Sequence, residues 1–194
     1  MTKIILATTS IYRKKAFRVL GLEFIAKGSD INEYFEDRPN TPKELVLYLS
    51  KLKADAVSKN YSEGIIVGFD SVGWFKGQIL EKPKSRQEAF QRLKSLSRDS
   101  FQFYTGIYMK NLETKQYLRK AVVTKVNTRN LTNSEINKYL DQDEKFNTYA
   151  LGFDPLGHYS STFISKIEGS YNNILKGIPL EMIVEMLPLV GYKI

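Results

Sequence analysis

The segment Ile65-Ile66-Val67-Gly68-Phe69-Asp70-Ser71-Val72 joins an apolar, β-branched run to a single carboxylate. Such a run is typical of a buried strand, and it places Asp70 just past the end of the predicted strand. A carboxylate there faces the crevice in which α/β folds bind ligands. Further along, Glu81-Lys82-Pro83 brings a cation to what we expect to be the same edge. A carboxylate that holds a metal or a water, beside a lysine that binds phosphate, indicates phosphate chemistry. An isolated aspartate after a strand is also a common turn former, so this segment alone leaves both interpretations open.

A second candidate site lies near the N-terminus of the sequence. Residues 3–7 predict a strand, and the hydroxyl-rich turn Thr8-Thr9-Ser10 precedes a predicted helix that starts near Ile11. The N-terminus of a helix offers free backbone N–H groups to an anion. Arg13 and Lys14 in the first turn oppose the helix dipole, which favours either an anionic ligand or simple exposure to solvent.

The sequence around these residues predicts an α/β fold with a mixed sheet. Thr41-Pro42-Lys43-Glu44 predicts the start of a helix that runs to about Ser58 and carries Lys53 beside its apolar stripe. Two long alternating runs, 101–110 and 116–128, predict a hairpin, which makes the sheet mixed rather than parallel.

After a predicted helix that runs from Thr132 through Leu140, the C-terminal part of the sequence predicts a loop, a turn and a last helix, with a strand over 161–168. Residues 146–157 predict a loop, and residues 169–173 predict a turn. A last amphipathic helix is expected to start at Pro179, with Val184 among the residues of its inner face.

Composition excludes several classes of protein. The 194 residues are enough for one domain or two small lobes, and the absence of cysteine excludes a disulfide scaffold and a thiolate metal site. The absence of cysteine also favours a cytoplasmic location. No run of 18 apolar residues occurs, so we expect no membrane span. The net charge of +8 allows nucleic acid, an anionic surface or a nucleotide as a partner. The lysines are spread along the chain without a recognisable nucleic-acid-binding module, so no nucleic-acid partner is expected.

A series of short motifs, none of them specific alone, occurs in a characteristic order and spacing. They are Leu6-Ala7-Thr8-Thr9-Ser10-Ile11-Tyr12-Arg13, Asn32-Glu33, Lys53-Ala54, Gly68-Phe69-Asp70-Ser71-Val72, Glu81-Lys82-Pro83, Leu96-Ser97, Thr105-Gly106, Thr128-Arg129-Asn130-Leu131-Thr132, Gly169-Ser170-Tyr171 and Gly177-Ile178-Pro179-Leu180. Together they resemble the Maf family of nucleoside triphosphate pyrophosphatases, from Ile4 to Gly191.

The resemblance implies a fold and a reaction. The fold is a single Maf-like domain over residues 1–194, similar to the inosine triphosphate pyrophosphatases: an elongated, curved, mixed sheet flanked by helices, with two lobes around a central cleft. The reaction is cleavage of a nucleoside triphosphate to the monophosphate and pyrophosphate, with a divalent cation (Mg²⁺, Mn²⁺ or Co²⁺). The resemblance also suggests a homodimer.

The resemblance further implies roles for the residues at the carboxylate site. Asp70 would activate water, and Asp70 and Glu33 would hold the metal through the oxygen ligands that Mg²⁺ and Mn²⁺ prefer. Lys53 and Lys82 would act in catalysis and bind the substrate.

On the N-terminal motif, the resemblance implies substrate binding by the side chains of four residues. Arg13 would balance the charge of the triphosphate, Thr8 and Ser10 would hold phosphate oxygens, and Tyr12 would stack on the base.

Three positions depart from the family pattern. Tyr12 stands where the family has arginine, Lys15 stands where an acidic residue is usual, and Gly152 stands where a glutamine is expected. The missing arginine and glutamine are features of members that prefer dTTP and UTP, and an aromatic residue at position 12 resembles members that act on 7-methyl-GTP. The base therefore stays open, with a lean to 7-methyl-GTP over dTTP and UTP. The departures also motivate an alternative, a degenerate relative that binds nucleotides without turning them over.

Overall fold

The computed structural model describes residues 2–193, which form seven strands, six α-helices and two short 3₁₀ helices. The strands are β1 (Ile4–Ala7), β2 (Phe24–Lys27), β3 (Ile65–Phe75), β4 (Gln78–Leu80), β5 (Ser100–Asn111), β6 (Tyr117–Thr128) and β7 (Ile164–Glu168). The α-helices are α1 (Ile11–Arg18), α2 (Pro42–Ser58), α3 (Arg86–Leu96), α4 (Asn133–Gln142), α5 (Tyr171–Lys176) and α6 (Leu180–Leu189). No helix among these residues is both long and apolar enough to cross a membrane.

The chain forms two compact units, each assembled from separate segments. Unit 1 consists of Met1–Ser71, Thr105–Val122 and Lys176–Ile194. Unit 2 consists of Val72–Tyr104 and Val123–Leu175. The prediction of a single Maf-like domain with a central cleft stays a prediction.

Unit 1 is a layered α/β structure. Its strands lie in the order β2-β1-β3-β5-β6, and β1 pairs in parallel with both β2 and β3. Successive residues of β3 alternate between the two faces of the sheet. Val67 and Phe69 pack in the apolar cluster that includes α1 and α6, whereas Ile66 packs against Ala54 and Val57 of α2. Helices α1 and α6 therefore cover one face, and α2 covers the other.

Unit 2 contains two antiparallel strand pairs. Strand β4 pairs with the end of β3, and β7 pairs with β6. Helices α3 and α4 pack on a second apolar cluster, which includes Leu93, Ile136 and Phe163. Since parallel and antiparallel pairs both occur, the predicted mixed α/β fold is confirmed.

Strand β3 is longer than the sequence indicated. It continues to Phe75 because Gly73, Trp74 and Phe75 pair with β4 through a tight turn at Lys76-Gly77, where both residues have positive φ. Asp70 therefore lies inside the strand, and the prediction that it comes just past the strand end is wrong.

Three smaller predictions also need correction. The turn expected at 169–173 contains the start of α5 at Tyr171. The loop expected at 146–157 begins with a 3₁₀ helix, Phe146–Thr148, and a second one, Tyr159–Thr162, precedes β7. Val184 is 39% exposed, so it does not belong to the inner face of α6, although Ile183 and Leu187 do.

Helix α2 lies unusually close to the sheet because two neighbouring strands present glycine to it. A Cβ on Gly68 of β3 would overlap the carbonyl oxygen of Ser50, and one on Gly106 of β5 would overlap that of Val46. Ser50 and Val46 are four residues apart and so lie one above the other on α2. The absence of side chains at these two glycines thus lets two successive turns of α2 contact the sheet.

We predict that Gly68→Ala and Gly106→Ala each lower the free energy of unfolding by about 1–3 kcal/mol, since overpacking must displace backbone atoms. Urea unfolding measures this loss. Gly21→Ala is the control, because nothing lies within 4 Å of a Cβ there and its cost comes from the positive φ of 67° alone. A Gly68→Ala variant no less stable than Gly21→Ala would contradict the close contact.

Helix α4 begins with a capping box. Thr132 Oγ1 accepts from the backbone N–H of Glu135, and Glu135 Oε2 accepts from the backbone N–H of Thr132. Arg129 Nη2 lies 2.8 Å from Glu135 Oε1. The hydrogen bond from Arg129, followed by those from Thr132, lowers the pKa of Glu135 from 4.5 to about 2.

This shift predicts a pH-dependent contribution to stability. Because the folded-state pKa is lowered, the contribution is complete above about pH 4.5 and is lost as the pH falls towards about 2. Urea unfolding at a series of pH values measures this contribution. The difference in unfolding free energy between wild type and Glu135→Gln should shrink as the pH falls over that range. A difference that does not change with pH would contradict the assigned contacts.

Candidate active site

Three predicted site residues meet on the α2 face of unit 1. Lys53 Nζ lies 2.6 Å from Asp70 Oδ1 and 2.8 Å from Glu33 Oε1. The side chains of Lys53 and Asp70 are 12% and 8% exposed, whereas that of Glu33 is 40% exposed. One ammonium group therefore joins a buried carboxylate to one that reaches solvent.

The elements explain this arrangement. Asp70 lies two residues beyond Gly68 on β3, so both face α2. Lys53 immediately precedes Ala54, whose Cβ would lie 3.0 Å from a Cβ on Gly68. The close packing of α2 on the sheet therefore brings the Lys53 side chain to Asp70.

Opposing effects act on the Asp70 carboxyl group. Burial raises the pKa of Asp70 above its usual value, while the positive charges of Lys53 and Arg13 act in the opposite direction. The net direction is upward, which makes the carboxylate a better proton acceptor than a solvated aspartate.

Arg13 forms hydrogen bonds with β3 on either side of Asp70. Its Nη1 donates to the Phe69 carbonyl oxygen at 3.0 Å, and its Nη2 donates to Ser71 Oγ at 2.9 Å. Burial lowers the pKa of the guanidinium, with the charges of Asp70 and Glu33 acting against that effect. Arg13 is thus anchored by the strand that carries Asp70, in addition to any contact with substrate.

The predicted hydroxyl turn has local partners. Thr8 Oγ1 accepts from the backbone N–H of Ser10 at 3.1 Å, and Ser10 Oγ caps α1 by accepting from the backbone N–H of Arg13 at 3.4 Å. Thr8 is buried, and Tyr12 is half-buried in the first turn of α1. These contacts shape the turn, and substrate binding by its side chains stays a prediction.

Lys82 belongs to unit 2. It is exposed and follows β4, between Glu81, whose carbonyl oxygen accepts from Arg92 of α3, and the buried Pro83. Gly152 is buried in the same unit with a φ of +80°, and a Cβ there would lie 3.3 Å from Pro83 Cγ. The role of Lys82 beside Asp70 stays a prediction.

A pair of hydroxyls next to Asp70 in the sheet was not predicted from the sequence. Ser71 Oγ of β3 lies 2.8 Å from Thr105 Oγ1 of β5, and Thr105 is fully buried. Both residues fall inside the family-like motifs, which was the available signal. Their contact could not be found from the sequence because it depends on how β3 and β5 pair.

Glu33 and Asp70 offer the oxygen ligands that a hard divalent cation prefers. In the structure both carboxylates contact the Lys53 ammonium, so a metal role for the pair stays a prediction. Within residues 2–193, no group of three or more His, Cys, Asp or Glu side chains is placed to hold a metal. Mg²⁺ is usually bound by one or two carboxylates together with phosphate oxygens and water, so this pair suits a metal that arrives with a phosphate substrate.

The comparisons with known proteins identify the family of this chain. The family model described as Maf-like protein matches residues 3–189, so the chain belongs to the Maf-like family. The dTTP/UTP pyrophosphatase of Fusobacterium nucleatum is 34% identical over 98% of this chain and 97% of its own length. The dTTP/UTP pyrophosphatase of Desulforamulus reducens is 33% identical over the full length of both chains. The solved dITP/XTP pyrophosphatase of Mycobacterium abscessus aligns over 98% of both chains with a TM-score of 0.46 and 14% identity.

We predict that Lys53→Met costs about 3–5 kcal/mol of unfolding free energy, because it leaves the Asp70 carboxylate buried without its cation. The double variant Lys53→Met/Asp70→Asn should recover part of that loss. Urea unfolding at pH 7 measures both effects.

Lys51→Met is the matched control on the same helix. Lys51 forms an exposed pair with Asp55, so its loss should cost less than about 1 kcal/mol. Equal losses of unfolding free energy for Lys53→Met and Lys51→Met would mean that the buried Lys53 ion pairs stabilise the fold no more than the exposed Lys51 pair.

Proposed function

We propose that this chain hydrolyses a nucleoside triphosphate to the monophosphate and pyrophosphate, with Asp70 activating the attacking water. The observation that carries the proposal is the group formed by Lys53, Asp70 and Glu33 in a chain of the Maf-like family. The names of the relatives, dTTP/UTP pyrophosphatases, support the class of reaction.

The proton transfer is assigned to Asp70. Its carboxylate takes a proton from water as the water oxygen bonds to the α-phosphorus, and the bond between that phosphorus and the oxygen bridging to the β-phosphate breaks. Pyrophosphate leaves with the bridging oxygen. The raised pKa of Asp70 favours its acceptance of the proton.

The cations stabilise negative charge that develops on the phosphate oxygens. Lys53 is fixed by two carboxylates and Arg13 by β3, so neither side chain has to reorganise during the reaction. Lys82 is proposed to add a further positive charge, and Thr8 and Ser10 to border the phosphates at the start of α1.

Glu33 and Asp70 are proposed to hold the divalent cation, Mg²⁺, Mn²⁺ or Co²⁺. When bound, such a cation neutralises phosphate charge and lowers the pKa of water.

The base is the open part of the proposal. The relatives named after dTTP and UTP support a pyrimidine. Tyr12, in the first turn of α1, motivates the lean to 7-methyl-GTP, since an aromatic ring can stack on a base. A homodimer, suggested by the family resemblance, and a cytoplasmic location, suggested by the composition, both stay predictions.

We predict that a screen of pyrophosphate release will identify a cleaved nucleotide and that Asp70→Asn will lower kcat by roughly 10²–10⁴-fold. The screen covers the canonical triphosphates, ITP and 7-methyl-GTP with Mg²⁺, Mn²⁺ or Co²⁺. Asp55→Asn on α2 is the control, because Asp55 pairs with Lys51 instead of Lys53. Chelation by EDTA should abolish turnover, and Glu33→Gln should raise the metal concentration needed.

Two outcomes would contradict the proposal. Nucleotide binding without turnover under any of these metals would favour the degenerate relative that binds nucleotides. Salt-sensitive binding to arbitrary DNA without turnover would favour a nucleic-acid binder instead.

A further inference from the structure

A largely buried cation of unit 2, Arg92 of α3, has no part in the reaction described above. Its side chain is 11% exposed, whereas that of Arg86 on the same helix is 47% exposed. Burial lowers the pKa of the Arg92 guanidinium, and the charge of Glu88 opposes that effect. A buried charge is costly unless it is paired and hydrogen-bonded. A cation in this place therefore depends on the contacts that its guanidinium makes.

The guanidinium of Arg92 joins three segments of unit 2. Nη1 donates to the carbonyl oxygen of Glu81, in the connection between β4 and α3, and to the carbonyl oxygen of Ala150 at 2.9 Å. Nη2 donates to Glu88 Oε1 of α3 at 2.8 Å. Because a guanidinium presents its N–H groups in a rigid planar fork, these bonds fix the three segments relative to one another. Arg92 lies outside the motifs by which the chain resembles the Maf family.

The backbone is held on both sides of Lys82. Before it, the Glu81 carbonyl oxygen accepts from Arg92. After it, the backbone N–H of Lys84 donates to Glu88 Oε2 at 2.8 Å, and Glu88 is the carboxylate that pairs with Arg92. Arg92 and Glu88 are four residues apart on α3, so they lie on one face of the helix. The exposed Lys82 side chain thus extends from a backbone segment that two helix side chains fix in place.

The loop that contains Ala150 lies next to the same segment. Gly152 of this loop is buried, and a Cβ there would lie 3.3 Å from Cγ of Pro83, the residue that follows Lys82. Arg92 bonds the loop at Ala150, two residues before Gly152. The loop and the segment that carries Lys82 are therefore neighbours, and Arg92 adds a hydrogen bond to each of them.

We propose that Arg92 is a positioning residue for Lys82. Its three hydrogen bonds fix the backbone segment from which the Lys82 ammonium reaches the phosphates of the substrate. The proposal rests on the function proposed above, in which Lys82 adds positive charge at the phosphates. Lys82 makes the contact with substrate, and Arg92 acts through the backbone. A cation that extends from a fixed backbone reorganises less when charge develops in the transition state.

The test is a double-mutant cycle on kcat/KM for the preferred nucleotide, with Arg92→Met, Lys82→Met and the combined variant. Circular dichroism first establishes a temperature at which all variants are folded. Because Arg92 acts through Lys82, Arg92→Met alone should lower kcat/KM roughly 10- to 100-fold. In the Lys82→Met background the same change should lower kcat/KM by less than about 2-fold, since no ammonium is left to position.

Two further variants of α3 complete the experiment. Arg86→Met is the matched control: it removes an exposed pair with Asp141 and should leave kcat/KM within about 2-fold of wild type. Arg92→Lys keeps the charge but lacks the planar fork that reaches both carbonyl oxygens, so it should show the same dependence on Lys82 with a smaller loss. It takes the place of Arg92→Met in the cycle if that variant does not fold.

Equal losses of kcat/KM for Arg92→Met with and without Lys82 overturn the proposal, because they would mean that Arg92 acts independently of Lys82. An unchanged kcat/KM in Arg92→Met or in Lys82→Met overturns it as well, as does an equal loss in Arg86→Met.

If no nucleotide is cleaved, the pyrophosphatase function fails, and the same cycle is measured on the binding of inorganic triphosphate with Mg²⁺ by calorimetry. A loss of triphosphate affinity in Arg92→Met that depends on Lys82 then supports the positioning role. Losses of affinity that add, or no binding of triphosphate by the parent protein, overturn it.

Discussion

The close approach of α2 to the sheet is the constraint on which the candidate site depends. Gly68 and Gly106 remove side chains where the carbonyl oxygens of Ser50 and Val46 would otherwise collide with them. Because α2 packs closely on the sheet at these glycines, Lys53, one helical turn after Ser50, reaches Asp70. A side chain at either glycine would push α2 outward and lengthen the ion pair, so the packing of the sheet and the geometry of the charges cannot vary independently.

The charges around Asp70 act on both faces of β3. Lys53 and Glu33 approach from the α2 face, and Arg13 holds residues 69 and 71 from the α1 face. Burial alone would favour a protonated Asp70, and the two cations oppose that tendency. The site thus combines a buried carboxylate with fixed positive charge, an arrangement suited to a substrate that is itself a polyanion.

Much of this could be predicted from the sequence, because local signals agreed with the fold. The cap at Thr41 marks the start of α2, and the sequence alone identifies Lys53 and Asp70 as candidate site residues. That β3 runs without a break from Ile65 to Phe75 was not predicted, because its length depends on pairing with β4. The Ser71–Thr105 contact was missed for a similar reason, since a hydrogen bond between strands 34 residues apart leaves no local pattern.

The most direct test of the central claim, that Lys53 and Asp70 act together in turnover, is a double-mutant cycle on kcat with Lys53→Met, Asp70→Asn and the combined variant. Residues that act as one unit show strongly non-additive effects. We expect the double variant to be about as slow as Asp70→Asn alone. Losses that multiply, with each variant contributing its full effect in the presence of the other, would contradict the account, because they would mean that the ion pair seen in the structure has no part in catalysis.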